Sequence, residues 1–249
     1  MSFKNLAEII PGNADRLGDR PAYQYKKDGS YQSISFNETR DWVNKIAGGL
    51  AALGVAAGEK VALLSENRFE WAFTDYAILT VRAINVPIYP SLIPPQVEYL
   101  IKDSEAKVII CSDIRQLEKV EKVRSNCPSL EHVIVIDHDD SMKDCSSLSE
   151  LMQKGAEYND KNPDYISSEL NKIKPDDLIT IIYTSGTTGE PKGVMLTHNN
   201  LISNIEGGLN ALDVDENDVF LSFLPLCHVF ERMVGHFLAA YISATIAYA

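Results

Sequence analysis

The chain has 249 residues, with 23 Lys plus Arg against 35 Asp plus Glu, a formal charge of −12. Apolar residues make up 45% and charged residues 23%, a globular composition that argues against a disordered or fibrous chain. An acidic surface repels phosphate backbones, so no nucleic-acid partner is expected, and any anionic ligand must be gripped by local N–H groups and a few placed cations.

Cys111, Cys127, Cys145 and Cys227 include no C-x-x-C pair, which argues against a disulfide framework or zinc ribbon and agrees with a reducing, cytoplasmic setting. Met1 to Asn5 opens no long apolar signal core.

Residues 4–16 read as a short helix. Ala22–Lys26 and Tyr31–Phe36 flank Asp28-Gly29, the signature of a tight hairpin. Asn37 is the expected cap of a helix whose apolar residues fall at Trp42, Val43, Ile46, Leu50 and Leu53, stopped by Gly54. A rhythm of short apolar strands and helices follows: strand 61–64, helix 69–82, strand 85–89, helix 94–103, strand 108–111, helix 114–125 and strand 133–136. Such alternation predicts an α/β fold with helices packed on mostly parallel sheets buried on both faces. Residues 137–165 turn polar, a surface connection with one helix near 148–154. Asp137, Asp139, Asp140 and Asp144 do not make a calcium loop, because the sixth position is Met142 rather than Gly.

Leu178–Ile182 is a β-branched strand leading into Tyr183-Thr184-Ser185-Gly186-Thr187-Thr188-Gly189-Glu190-Pro191-Lys192-Gly193. Glycines let successive N–H groups turn inward, hydroxyls add short-reach donors, and a lysine supplies a mobile charge. These are the requirements for gripping a polyphosphate. Walker A spacing fails, because Lys192 lies three residues after Gly189 and precedes Gly193. A serine nucleophile elbow fails too, because Tyr183 stands two before Ser185. Val194–Thr197 reads as a return strand, so the loop joins two strands, and Asn199 or Asn200 is expected to cap a helix over 201–212.

Strand 220–224 precedes Pro225-Leu226-Cys227-His228-Val229-Phe230-Glu231-Arg232. His228 beside Phe230 reads either as a pocket-lining pair or, for the histidine, as a packed core residue. Cys227 adjoins His228 in sequence, which is not the geometry of a thiol nucleophile. From Met233 to Ala249 runs a stretch of 17 residues without Asp, Glu, Lys or Arg. With Gly235 and His236 inside it, it reads as a buried helix running into a buried strand rather than a membrane span. Ending inside that stretch, the chain is expected to be part of a longer polypeptide.

Tyr183–His198 (YTSGTTGEPKGVMLTH) resembles the phosphate loop of the AMP-forming adenylating enzymes. Ser222–Met233 (SFLPLCHVFERM) resembles their next motif, in a form similar to the long-chain fatty acyl-CoA synthetase branch. Pro87-Ile88-Tyr89-Pro90 lies in a region similar to the family's opening. The resemblance implies that residues 1–249 are the N-terminal part of a large AMP-binding domain. The adenine, ribose and catalytic-lysine motifs would lie beyond it, so the chain alone is expected to be inactive.

The implied reaction converts a long-chain carboxylate and ATP to an acyl-adenylate and pyrophosphate, then transfers the acyl group to coenzyme A. By position, Thr184, Ser185, Gly186, Thr187, Thr188, Gly189 and Lys192 would hold the nucleotide's phosphates, and Thr184 would approach a magnesium ion. Lys192 and His228 are the catalytic candidates; His228 and Phe230 would border the acyl tunnel. The run 233–249 would be either part of its wall or plain core. Peripheral membrane contact and a homodimer are further expectations of the resemblance. An aryl or amino acid adenylating enzyme and a non-catalytic nucleotide-binding module remain as alternatives.

Overall fold

The computed structural model describes residues 3–184 and 190–249. A single 3₁₀ turn, Leu6–Glu8, leads into α1 (Ile9–Leu17). Strands β1 (Pro21–Lys27) and β2 (Ser30–Ser35) form the expected hairpin. Its turn residues Asp28 and Gly29 have φ of 50° and 80°, the doubly left-handed backbone that a two-residue hairpin of the strands' own twist requires.

Helix α2 (Phe36–Ala52) is capped by Ser35, not by Asn37. The Ser35 hydroxyl accepts from the Glu38 N–H and the Glu38 carboxylate accepts from the Ser35 N–H, so the S-x-x-E box satisfies two donors where Asn37 would satisfy one.

The alternating rhythm then appears in order: β3 (Lys60–Leu64), α3 (Phe69–Thr80), β4 (Ile84–Ile88), α4 (Pro94–Ser104), β5 (Val108–Cys111), α5 (Ile114–Glu121) and β6 (His132–Val135). The polar tract holds more structure than its composition announces: a short β7 (Ser146–Ser147), a full α6 (Leu148–Lys161) and an unanticipated α7 (Tyr165–Lys172). Tyr165, Ile166 and Leu170 of α7 pack against the main core, which offsets the poor helix propensity of its serines and asparagine. Where α6 crosses α2, a Cβ on Gly155 would lie 1.8 Å from the Lys45 carbonyl oxygen. Only glycine allows the two backbones this approach.

After β8 (Leu178–Thr184) come β9 (Lys192–Thr197), α8 (His198–Leu209) and β10 (Val219–Ser222). Helix α8 starts one turn early because Thr197 is its cap; Asn200 completes the box instead of forming the cap. One helical turn, α9 (Val229–Glu231), precedes the charge-free run, which starts inside a π-helical segment (Arg232–Leu238), passes through α10 (Ala239–Tyr241) and ends in β11 (Thr245–Tyr248). Its helical part and strand are largely buried, the helix-into-strand that the pattern predicts. No described helix is long and apolar enough to cross a membrane.

The strands form two sheets. One has order β10-β11-β1-β2 and the other β7-β6-β5-β3-β4-β8-β9. Among the described residues, only the β1–β2 and β8–β9 pairs are antiparallel, so the fold is α/β with parallel-dominated sheets. Strand residues alternate between two cores. Val61, Leu63, Val108 and Ile110 face the larger one, while Ala62, Leu64, Ile109 and Cys111 face the smaller. Burial on both faces is why these strands read as unbroken apolar runs.

Helix α3 packs against β1 of one sheet and β4 of the other. Nearly all of it is therefore buried, including Glu70, Thr74 and Asp75.

Candidate functional site

The predicted phosphate loop leaves the seven-stranded sheet at the end of β8 and returns as β9. The two strands pair antiparallel, with Thr184 opposite Lys192 and Tyr183 opposite Gly193. The expected strand–loop–strand arrangement holds. Thr184 and Lys192 are exposed and face one another across the loop's mouth. Ser185, Gly186, Thr187, Thr188 and Gly189 lie outside the described residues.

Both legs of the loop are held by α4. The Tyr99 hydroxyl donates to the Pro191 carbonyl at 3.0 Å, and the Tyr183 hydroxyl donates to Asp103 Oδ2 at 2.6 Å. Burial, and then the Asp103 carboxylate, push the Tyr183 phenol well above its ordinary range, so it remains a donor.

The last residue of the loop motif, His198, is a structural group. It is buried, and its Nδ1 accepts from the Leu6 N–H at 3.1 Å. Burial pulls its pKa down to about 4, with the Asp177 carboxylate opposing. An unfolded histidine takes up its proton near 6.5, so the folded form binds fewer protons between these values. Stability is then full above about pH 6.5 and is lost as pH falls towards 4. The expected result is a unfolding free energy in urea that drops through this window by up to about 1.4 kcal/mol per pH unit from this residue. His198→Gln keeps an acceptor for Leu6 and should flatten that part of the profile. An unchanged slope in the variant would refute the assignment.

His228 is exposed, so it is not a core histidine. Its Nδ1 accepts from the Phe230 N–H at 3.2 Å, capping the α9 turn. Phe230 is 53% exposed, and Phe223, Leu224 and Val229 nearby in the chain are exposed as well. Asn67 fixes this segment by donating to the Leu224 carbonyl and accepting from the Leu226 N–H. Burial pushes the Cys227 thiol up to about 12. It stays protonated at neutral pH, in keeping with its exclusion as a nucleophile.

The residues that join the two motifs were not singled out from sequence. Arg232 is 1% exposed. Its Nε and Nη2 donate to the two Asp75 oxygens at 2.8 and 2.6 Å, and its Nη1 donates to Thr180 Oγ1 at 2.6 Å. Thr180 in turn donates to the Asn85 carbonyl, and Asn85 Nδ2 donates to Asp75. Thr180 stands four residues before Thr184 on β8, and Arg232 donates its N–H to the His228 carbonyl one turn earlier. One buried guanidinium therefore ties the His228 segment to the strand that launches the loop.

Burial pushes the Asp75 carboxyl up, but Arg232 and then His236 outweigh it and hold it well below the usual carboxylate range. His236 Nε2 lies 3.4 Å from Asp75, yet burial dominates and lowers the imidazole's pKa. The available signals were Asp75 in the middle of a largely apolar helix and Arg232 heading an uncharged run.

Among the described residues no group of three His, Cys, Asp or Glu could hold a metal ion. Thr184 and Lys192 present one neutral oxygen and one cation, a donor set suited to phosphates carrying a largely hydrated ion and not to a protein-made metal cage.

The sequence profile of the family described as AMP-binding enzyme matches residues 11–249. The chain belongs to the AMP-binding enzyme family. It is 34% identical over 233 residues to a Mycobacterium bovis protein named long-chain-fatty-acid–CoA ligase FadD15, covering 93% of this chain and 38% of that protein. Among solved AMP-binding structures, the inhibitor-bound N-terminal domain of FACL13 from Mycobacterium tuberculosis superposes with a TM-score of 0.84 at 26% identity, covering 99% of this chain and 57% of that one. A long-chain-fatty-acid-CoA ligase, FadD1, from Archaeoglobus fulgidus gives 0.82 at 28% identity, covering 99% and 47%. The chain thus spans well under two thirds of the relatives it matches.

Proposed function

We propose that the chain is the opening part of a large AMP-binding domain in an AMP-forming long-chain fatty acid–CoA ligase. The observation that carries this is the strand–loop–strand unit with Thr184 and Lys192 at its mouth, bearing a family motif in a chain 34% identical to a protein named as such a ligase.

In the proposed reaction a carboxylate oxygen of the fatty acid attacks the α-phosphorus of ATP. Pyrophosphate leaves with the electron pair of the broken P–O bond. The coenzyme A sulfur, as thiolate, then attacks the acyl carbonyl and AMP departs. Ser185, Gly186, Thr187, Thr188, Gly189 and Lys192 hold the β- and γ-phosphates, where charge builds as the bond breaks. Donors already in place there lower the barrier because they need no reorganisation. Thr184 would offer its hydroxyl to the magnesium that accompanies ATP. His228 and Phe230 border the site of the carboxylate and acyl chain, with the exposed apolar side chains around them suited to a lipid tail. We read the protein as cytoplasmic, with peripheral membrane contact through its substrate and self-association into a homodimer as part of the same proposal.

The test is carboxylate-dependent ATP–pyrophosphate exchange by the protein that carries this chain at its full natural length. Acids from acetate to palmitate are compared with aryl acids and amino acids. Exchange driven by long-chain acids, followed by thioester formation with coenzyme A, is the expected result. Exchange driven only by aryl or amino acids would move the assignment to that branch, and none with any acid would leave a non-catalytic nucleotide-binding module.

A further inference from the structure

Helix α4 touches the predicted phosphate loop at both of its roots. Tyr99 and Asp103 are four residues apart on α4, so they share one face. From that face Tyr99 reaches Pro191, the last residue before β9, and Asp103 receives Tyr183, the residue before Thr184. The two phenol rings meet edge to face at 6.3 Å.

The β8–β9 ladder ends with the Thr184–Lys192 pair. Pro191 lies outside the ladder, and its carbonyl is instead held by a side chain from α4. The point at which the chain re-enters the sheet, one residue before Lys192, is thus set by Tyr99. The point at which it leaves is set through Tyr183 by Asp103. A lysine on a flexible four-carbon stem delivers its charge where its backbone is fixed, and a small displacement of a positioned donor costs rate out of proportion to its size.

We infer that Tyr99 and Asp103 are positioning residues that brace the two roots of the phosphate loop, setting the place of Lys192 and hence the grip on the nucleotide's phosphates. This rests on the function proposed above for the loop. It assigns to α4 a part in nucleotide binding that its sequence pattern, an amphipathic helix with Val97, Leu100 and Ile101 buried, does not announce.

The test uses the protein at its full natural length and three variants. Tyr99→Phe removes one donor and keeps the ring. Asp103→Ala removes the acceptor, and Asp103→Asn restores one. Amide hydrogen exchange of the segment 184–192 is read without substrate. KM for ATP, KM for the fatty acid and kcat are read in pyrophosphate exchange. Losing the neutral Tyr99–Pro191 bond should speed exchange in that segment about five-fold and raise KM for ATP by a similar factor, and losing the bond to the Asp103 carboxylate should do so by more, with KM for the acid unchanged in both. Asp103→Asn should stay near the wild type.

Unchanged loop exchange in Tyr99→Phe and Asp103→Ala would overturn the brace, as would a parallel rise in both KM values with a lower Tm, which marks general destabilisation. Failure of the functional reading looks different: the wild type itself would show no carboxylate-dependent exchange of pyrophosphate, and amide exchange alone would then decide whether α4 braces the loop.

Discussion

Replacing Arg232 by alanine is expected to destabilise the chain by about 3–5 kcal/mol, the cost of removing one partner of a buried ion pair. Domain stabilities are about 5–15 kcal/mol in total, so this loss alone brings the fold near its limit. The cost comes less from the attraction lost than from what is left behind. Asp75 is fully buried, and without the guanidinium it keeps only the Asn85 amide at 2.7 Å and His236, whose imidazole burial holds towards the neutral form.

Arg232 also lies 5.9 Å from the Trp71 ring centroid and 5.4 Å from that of Phe237, so truncation opens a gap between aromatic faces as well. Two comparisons separate these effects. Arg232→Met combined with Asp75→Leu removes both charges while keeping volume, and should recover much of the loss seen in Arg232→Met alone. The pH dependence gives the second. In the wild type the Asp75 pKa is held low, so its contribution is full down to the usual carboxylate range and is lost only as pH falls below that range towards the depressed value. In the single variant the unpaired carboxyl is pushed upwards, and protonating it relieves the strain. The gap between variant and wild type should therefore narrow as pH drops below neutral. A gap constant from pH 7 to 4 would show that lost packing, not a stranded carboxylate, sets the cost.

What the sequence disclosed here follows from the range of the physics involved. The Asp28-Gly29 hairpin was legible because a two-residue turn is decided by the φ angles of two residues. The strands at 61–64, 85–89, 108–111 and 133–136 were legible because burial on both faces leaves an apolar run that no surface element shares. Caps were half legible. Asn37 and Asn199 are good capping types, but Ser35 with Glu38 and Thr197 with Asn200 make reciprocal boxes, and the pair outcompetes the single residue. Helix α7 was missed because its polar composition resembles a loop, and its stability comes from the core against which Tyr165, Ile166 and Leu170 pack.

Partition into two sheets was beyond local reading. Strand β11 pairs with β1, joining Ile246 to Tyr23 across most of the chain, and no local pattern encodes such a partner. The site shows the same division. The chemistry of the loop was written in contiguous residues. Its supports, Tyr99 and Asp103 on α4 and Arg232 with Asp75 and Thr180, come from separate elements and converge only once the sheet and α3 are in place. His228 illustrates the limit from the other side. A lone histidine is more often a packed core residue than a pocket lining, and exposure beside Phe230 decided against that commoner reading.

Replacing Lys192 by alanine should leave the fold nearly untouched, because the side chain is exposed at the start of β9 and surface substitutions usually stay within about 0.5 kcal/mol. The expected effect is on chemistry. If the ammonium meets the β- and γ-phosphates as proposed, pyrophosphate exchange by the protein at its full natural length should fall about 10²–10³-fold, the scale of losing one preorganised donor at a centre of developing charge. Position argues for that size. Lys192 is paired by the β8–β9 ladder directly opposite Thr184, so its backbone is fixed at the loop's mouth. Lys192→Arg should recover part of the rate, since the charge returns on a planar fork of different reach. A lower kcat with an unchanged Tm is the signature of the proposed role. Loss of rate accompanied by a lower Tm would instead make Lys192 a support of the strand, and unchanged exchange would remove it from the reaction.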